Sequence, residues 1–94
     1  MDDATLALTA VTVGLDRLRD QDTAAALQTL ARTGPPRASV LGLLCDLLDD
    51  LTARLGDDGL EDEAEDLSEA IGLIRGDAVP RLRRALETVL APQP

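Results

Sequence analysis

The sequence predicts an all-α protein: a small bundle of four or five short helices, forming a single domain over residues 1–94 and completed by homodimerisation. Clusters of Gly, Pro and Asp divide the chain at intervals typical of short helices, and apolar residues between them recur every three or four positions. The core must consist of aliphatic residues, because the chain has no Phe, Tyr or Trp. Such a core is marginal in one copy of this size, so a second copy is expected to complete it.

The first helix, predicted over residues 3–20, has apolar residues on two opposite faces. One face follows a regular spacing of four and three residues: Ala4, Leu8, Val11, Leu15 and Leu18. The opposite face consists of Leu6, Ala10 and Val13. A helix with two apolar faces needs two neighbours, so we predict that Leu6, Ala10 and Val13 mediate self-association. The alternative is that helix 2 or helix 5 of the same chain covers this face.

The second helix is predicted over residues 23–33 and the third over residues 36–55. Asp22 is a favourable N-cap for helix 2, although helices 1 and 2 could also form one kinked helix. Helix 3 is the most apolar segment, and its wide apolar arc predicts a central position in the bundle. The residues expected to face inward are Val40, Leu41, Leu43, Leu44, Leu47, Leu48, Leu51 and Leu55.

The fourth helix is predicted over residues 60–75 and the fifth over residues 78–91. Asp58 and Glu61 have the spacing of a capping box at the start of helix 4. Gly76 and Asp77 predict a break, and Pro80 is tolerated because it falls in the first turn of helix 5. Five residues of helix 5 are expected to face inward: Val79, Leu82, Leu86, Val89 and Leu90.

The net charge of −9 is concentrated in residues 46–69, which contain eleven acidic residues and one arginine. We call the outward-facing acids of this stretch the acidic ridge: Asp46, Asp49, Asp50, Glu61, Asp62, Glu65, Asp66 and Glu69. Like charges four residues apart repel each other weakly, which favours either a solvated surface or a cationic partner. We predict an adaptor, docking or inhibitor protein whose ridge binds a basic protein surface. One version is a regulatory nucleic-acid mimic, with carboxylates in place of phosphates.

The same acids allow an alternative from a different class. Acidic residues three or four apart on two neighbouring helices resemble the motifs of all-α nucleoside-triphosphate pyrophosphohydrolases, here Asp46, Asp49 and Asp50 with Asp62, Glu65, Asp66 and Glu69. This resemblance implies a Mg²⁺-dependent hydrolase, since carboxylate oxygens suit a hard cation. The chain has no His, Lys or aromatic residue to hold a nucleotide, so we predict that it is not an enzyme and holds no metal or cofactor.

Other functions are disfavoured by composition. Three arginines of helix 5, Arg81, Arg83 and Arg84, are too few to bind phosphates on a chain of pI about 4.2, so we predict no direct nucleic-acid binding. Cys45 stands alone and is expected to be a packed small hydrophobe. No apolar run approaches the ~20 residues that span a bilayer, and Met1-Asp2-Asp3 lacks the basic segment of a signal peptide, so we expect no membrane partner and a cytoplasmic location.

Overall fold

The computed structural model describes residues 2–31 and 39–91, and these residues are all-helical with no strand. This confirms the predicted all-α class, whereas completion by homodimerisation stays a prediction. The helices are α1 (Asp3–Arg19), α2 (Thr23–Ala31), α3 (Val40–Asp57), α4 (Glu61–Leu73) and α5 (Val79–Leu90), with a π-helical turn, Ile74–Ala78, between the last two. The predicted end of helix 2 lies outside the described residues. Helix α3 begins at Val40, four residues after the predicted start, because Ser39 is its extended N-cap.

Short polar side chains begin the first three helices. Asp2 accepts a hydrogen bond from the backbone N–H of Thr5 at 2.7 Å. Asp22 accepts one from Ala25 at 2.7 Å, which confirms the predicted N-cap and separates α2 from α1. Buried Ser39 caps α3 by accepting the N–H of Gly42 at 2.9 Å.

The predicted capping box at the start of helix 4 is wrong. Helix α3 continues to Asp57, two residues beyond the predicted end, so Asp58 terminates α3 instead of starting α4. Gly59 then adopts a left-handed conformation with φ of 79°, which glycine tolerates without strain, and reverses the chain. Leu60 occupies the N-cap of α4 and makes no side-chain capping bond. The two helices form an antiparallel hairpin.

The predicted break at Gly76 and Asp77 is also wrong. Both residues lie inside the π-helical turn that joins α4 to α5, so the two helices form one continuous rod. Pro80 lies in the first turn of α5, as predicted. Proline has no N–H to donate to the preceding turn, and the wider π turn lies directly before it.

The packed part of the molecule consists of α2 to α5. Helix α3 packs on α4, α2 packs on α5, and α2 also contacts α3. The buried apolar side chains among the described residues are Ala31, Cys45, Ile71 and Val79. Cys45 is only 1 % exposed, which confirms that it is a packed hydrophobe.

Several side chains predicted to face inward are instead exposed. On α3 these are Leu43, Leu44 and Leu47, and on α5 they are Val89 and Leu90. These residues belong to the apolar sides of their helices and could be buried there. A single copy of the chain, however, has too few neighbouring helices to cover the whole apolar arc of α3. The described residues therefore form a core that is small for their apolar content.

Helix α1 lies beside this packed part and has no extensive contact with another described helix. All its residues are exposed except Leu18, which is half-buried. Neither α2 nor α5 covers its Leu6–Ala10–Val13 face. The radius of gyration is 15.9 Å, whereas a compact chain of this length has about 12 Å. Among the described residues, no helix has the length and apolarity needed to cross a membrane.

Candidate protein-binding surfaces

The acids of α4 form one exposed face of that helix. Glu61, Asp62, Glu65, Asp66 and Glu69 are all exposed, and we call this set the α4 acidic face. At 100° per residue they span an arc of roughly 140°. The opposite side of α4 carries the residues that turn toward the packed core, including half-buried Leu67 and buried Ile71. Burial of the apolar side against α3 therefore directs the carboxylates outward.

The α4 acidic face is not neutralised by the arginines of the described chain. None of its five carboxylates forms an ion pair within residues 2–31 and 39–91. Glu61, Asp62 and Glu63 also occupy the first turn of α4, where the helix dipole favours negative charge. The repulsion among these acids is thus partly offset at the start of the helix and least compensated toward Glu69.

The acids of α3 have a different environment. Arg75, in the π-helical turn, approaches Asp49 at 2.8 Å and Asp46 at 3.9 Å. The hydrogen bond that the Arg75 guanidinium donates to the Asp49 carboxylate raises the pKa of Arg75 above its ordinary value. Asp50 is exposed and has no ion pair in the described ranges. The predicted acidic ridge therefore divides into Asp46 and Asp49, which pair with Arg75, and the remaining acids, Asp50 on α3 and the α4 acidic face, which have no ion pair among the described residues.

Arg75 is the residue that the sequence interpretation missed. The expected break at Gly76 placed it at the frayed end of a helix, whereas the continuous rod holds it against α3. It also lines a cavity of about 230 Å³ between α3 and α5, next to Leu41, Cys45, Val79 and Arg83. The sequence contained one usable signal: Arg75 is the cation nearest to the acidic residues 46–69 on their C-terminal side.

The carboxylates do not converge on a common point. Within the described part of the chain, no group of three or more His, Cys, Asp or Glu side chains could hold a metal ion. The ridge acids of α3 and α4 are all exposed instead.

The predicted self-association residues lie together on one open face of α1. Leu6 is 52 % exposed and Val13 is 46 % exposed, and Ala10 lies exposed between them. The other face of α1 is also exposed, except at half-buried Leu18, and borders an apolar groove that extends to α2 and the start of α3. The structure thus has two kinds of candidate binding surface, one acidic and one apolar.

Comparison with family models, with curated proteins and with solved structures gives no match to this chain.

Proposed function

We propose that this chain is a small protein–protein interaction module, an adaptor, docking or inhibitor protein, whose α4 acidic face binds a basic surface of another protein. The supporting observation is that an arginine pairs with acids of α3 but with none of the acids on the α4 acidic face. Arg75 compensates Asp46 and Asp49, whereas the five carboxylates of α4 stay exposed and unpaired in the described chain. An uncompensated row of like charges attracts a cationic partner and steers its approach.

The charge density of this face suggests what kind of basic surface it fits. Glu61 and Glu69 are eight residues apart, about 12 Å along a helix axis. Five charges over this length are spaced by ~3 Å on average along the axis, between the ~3.4 Å of one DNA strand and the ~1.7 Å of the duplex. A groove that normally holds nucleic acid would therefore accept this face, and the protein would act as a competitor for that groove.

The proposal places the protein in the cytoplasm, where a lone buried thiol such as Cys45 stays reduced. The proposal also includes a homodimer, in which two copies of the chain would present two α4 acidic faces to the basic partner protein. A Mg²⁺-dependent hydrolase is the alternative, and it would require the acids of α3 and α4 to rotate toward each other. In the described residues these acids form no group that could hold a metal ion.

A capture experiment tests the proposal. Immobilised wild-type protein is compared with a Glu65→Gln/Glu69→Gln variant in a lysate of the cells that make the protein. The matched control, Asp20→Asn/Glu87→Gln, removes two exposed charges elsewhere. We expect wild type and control to retain the same basic proteins, released by moderate salt, and the α4 variant to lose them. Equal retention by all three proteins would refute a role for the α4 acidic face.

A further inference from the structure

The cavity of about 230 Å³ between α3 and the rod of α4 and α5 is bordered by two guanidinium groups, those of Arg75 and Arg83. No described Asp or Glu belongs to its lining. The remaining lining residues are apolar or small: Leu41, Gly42, Cys45 and Val79. On a chain of net charge −9, a cavity lined only by positive charge is a local exception that favours an anion.

The contacts of the two arginines position both guanidinium groups beside this cavity. Arg75 donates from Nη2 to Asp49 at 2.8 Å, and the same nitrogen lies 3.9 Å from Asp46. Both contacts use one nitrogen of a group that has five N–H donors, so they do not exhaust its capacity. Arg83 donates from Nε to the carbonyl of Ala31 at 3.3 Å. Contacts with α3 and with α2 therefore place two cations at the same cavity.

The rest of the cavity suits an alkyl group. Leu41 is half-buried and Val79 is buried, and the Cys45 side chain beside them is only 1 % exposed. No hydrogen bond from the Cys45 thiol is found among the described residues. A thiol of this kind packs as a small hydrophobe. The cavity therefore combines an apolar wall with two groups that bind oxyanions.

We propose that this cavity binds a small monocarboxylate, with its carboxylate group at Arg75 and Arg83 and a short alkyl chain against Leu41, Cys45 and Val79. The planar fork of a guanidinium matches the two oxygens of a carboxylate. At ~30 Å³ for each water, the cavity has room for about seven water-sized groups, which suits a carboxylate with an alkyl chain of about three carbons.

The same features disfavour inorganic phosphate. Phosphate has no apolar part to contact Leu41 and Val79, and its charge at neutral pH exceeds that of a carboxylate. Asp49 already accepts a charge-assisted hydrogen bond from Arg75, which favours a ligand with a single negative charge. This site does not include the α4 acidic face, so it does not depend on the proposed function.

Nuclear magnetic resonance tests the site in the unmodified protein. Butanoate is titrated at constant ionic strength, with neutral butanamide and with inorganic phosphate as comparison ligands. We expect saturable shifts of the Leu41, Gly42, Cys45 and Val79 amide signals with butanoate, and an unchanged signal from Gly14 on α1. No saturable shift would overturn the proposal, as would equal binding of butanamide or of phosphate.

Cys45 provides a second readout, because it is the only cysteine of the chain. Its alkylation by the small neutral reagent iodoacetamide is followed by mass spectrometry. Butanoate at ten times its dissociation constant should slow this reaction about tenfold, whether the reagent enters the cavity or waits for local opening, since a ligand of the closed form disfavours both. An alkylation rate that butanoate leaves unchanged would overturn the proposal.

Substitutions test the two arginines. We expect Arg75→Gln and Arg83→Gln each to weaken butanoate binding about tenfold or more, because each removes a charge-assisted hydrogen bond. Arg81→Gln is the matched control, since Arg81 pairs with Asp77 and does not line the cavity. Circular dichroism verifies that each variant keeps its helices, and the butanamide comparison tests the need for charge without any substitution. Wild-type affinity in both cavity variants would overturn the proposal.

Discussion

Ile71 is the core position at which the packing can be tested most sharply. It is 6 % exposed on the inner side of α4. Shortening it to alanine removes three carbons, which costs about 2.4 kcal/mol of burial at ~0.8 kcal/mol per methylene. The cavity left behind adds to this, so we expect Ile71→Ala to lower the free energy of unfolding by about 3 kcal/mol. For a chain of this size that corresponds to a Tm lower by roughly 12–24 °C.

Leu73 provides the matched control, because it lies two residues further along the same rod and is 68 % exposed. Leu73→Ala should change stability by less than ~0.5 kcal/mol, since it removes no buried contact. Urea denaturation at a fixed low protein concentration, where sedimentation shows a single species, measures both variants without a contribution from association. Equal losses in the two variants would refute the assigned inner face of α4.

Three further predictions follow from capping and from charge. A Cβ at Gly42 would lie 2.9 Å from the Ser39 hydroxyl, so Gly42→Ala should be near neutral in wild type but stabilising by ~1 kcal/mol in a Ser39→Ala background, as urea denaturation would show. The pKa of Asp2 is lowered mainly by the hydrogen bond that the Thr5 backbone N–H donates to its carboxylate. Ionised Asp2 therefore stabilises α1 at neutral pH. This contribution should disappear as the pH falls below ~4 through the folded-state pKa, and faster amide exchange in the first turn of α1 would show the loss. Glu65→Gln/Glu69→Gln should leave the unfolding midpoint unchanged or slightly raised by relieving repulsion, and a clearly lower midpoint would contradict an uncompensated face.

Local signals in the sequence were sufficient for much of the fold. The Asp22 cap depends on residues within one turn, and the structure reproduces it. The outward direction of the α4 acids follows from the helical period alone. The two-faced character of α1 could likewise be predicted from spacing, because both faces are set by residues of one helix.

The errors arose where a neighbouring element decides the outcome. Asp58 has the spacing of an N-cap, but the preceding helix extends far enough to use it as a C-cap. Gly76 lowers helix propensity without preventing a helix, and the α4–α5 rod continues through it as a π turn. Leu43 and Leu47 lie on an apolar arc, but an arc shows which residues can be buried and not how many helices are present to bury them.

The sequence predicted which acids of the candidate site are exposed, but not which of them pair with an arginine. The sequence places eight acids on outward faces, and the structure agrees in exposure. It could not show that Arg75 pairs with Asp46 and Asp49, because these ion pairs join residues 29 and 26 positions apart in the sequence. The ion pairs of Arg75 must be known before the acids of α4 can be distinguished as the group without an ion pair.

The central claim, that the α4 acidic face recognises a basic partner, is tested most directly by association kinetics. The measurement is the association rate constant of a captured partner across a range of salt concentrations, for wild type and for Glu65→Gln/Glu69→Gln. Exposed charges are screened over ~8–10 Å at physiological ionic strength and mainly steer encounter. We therefore predict a steep decrease of the wild-type rate with salt, and a slower, less salt-sensitive association of the variant with little change in dissociation. Rates that depend on neither salt nor these substitutions would contradict the claim.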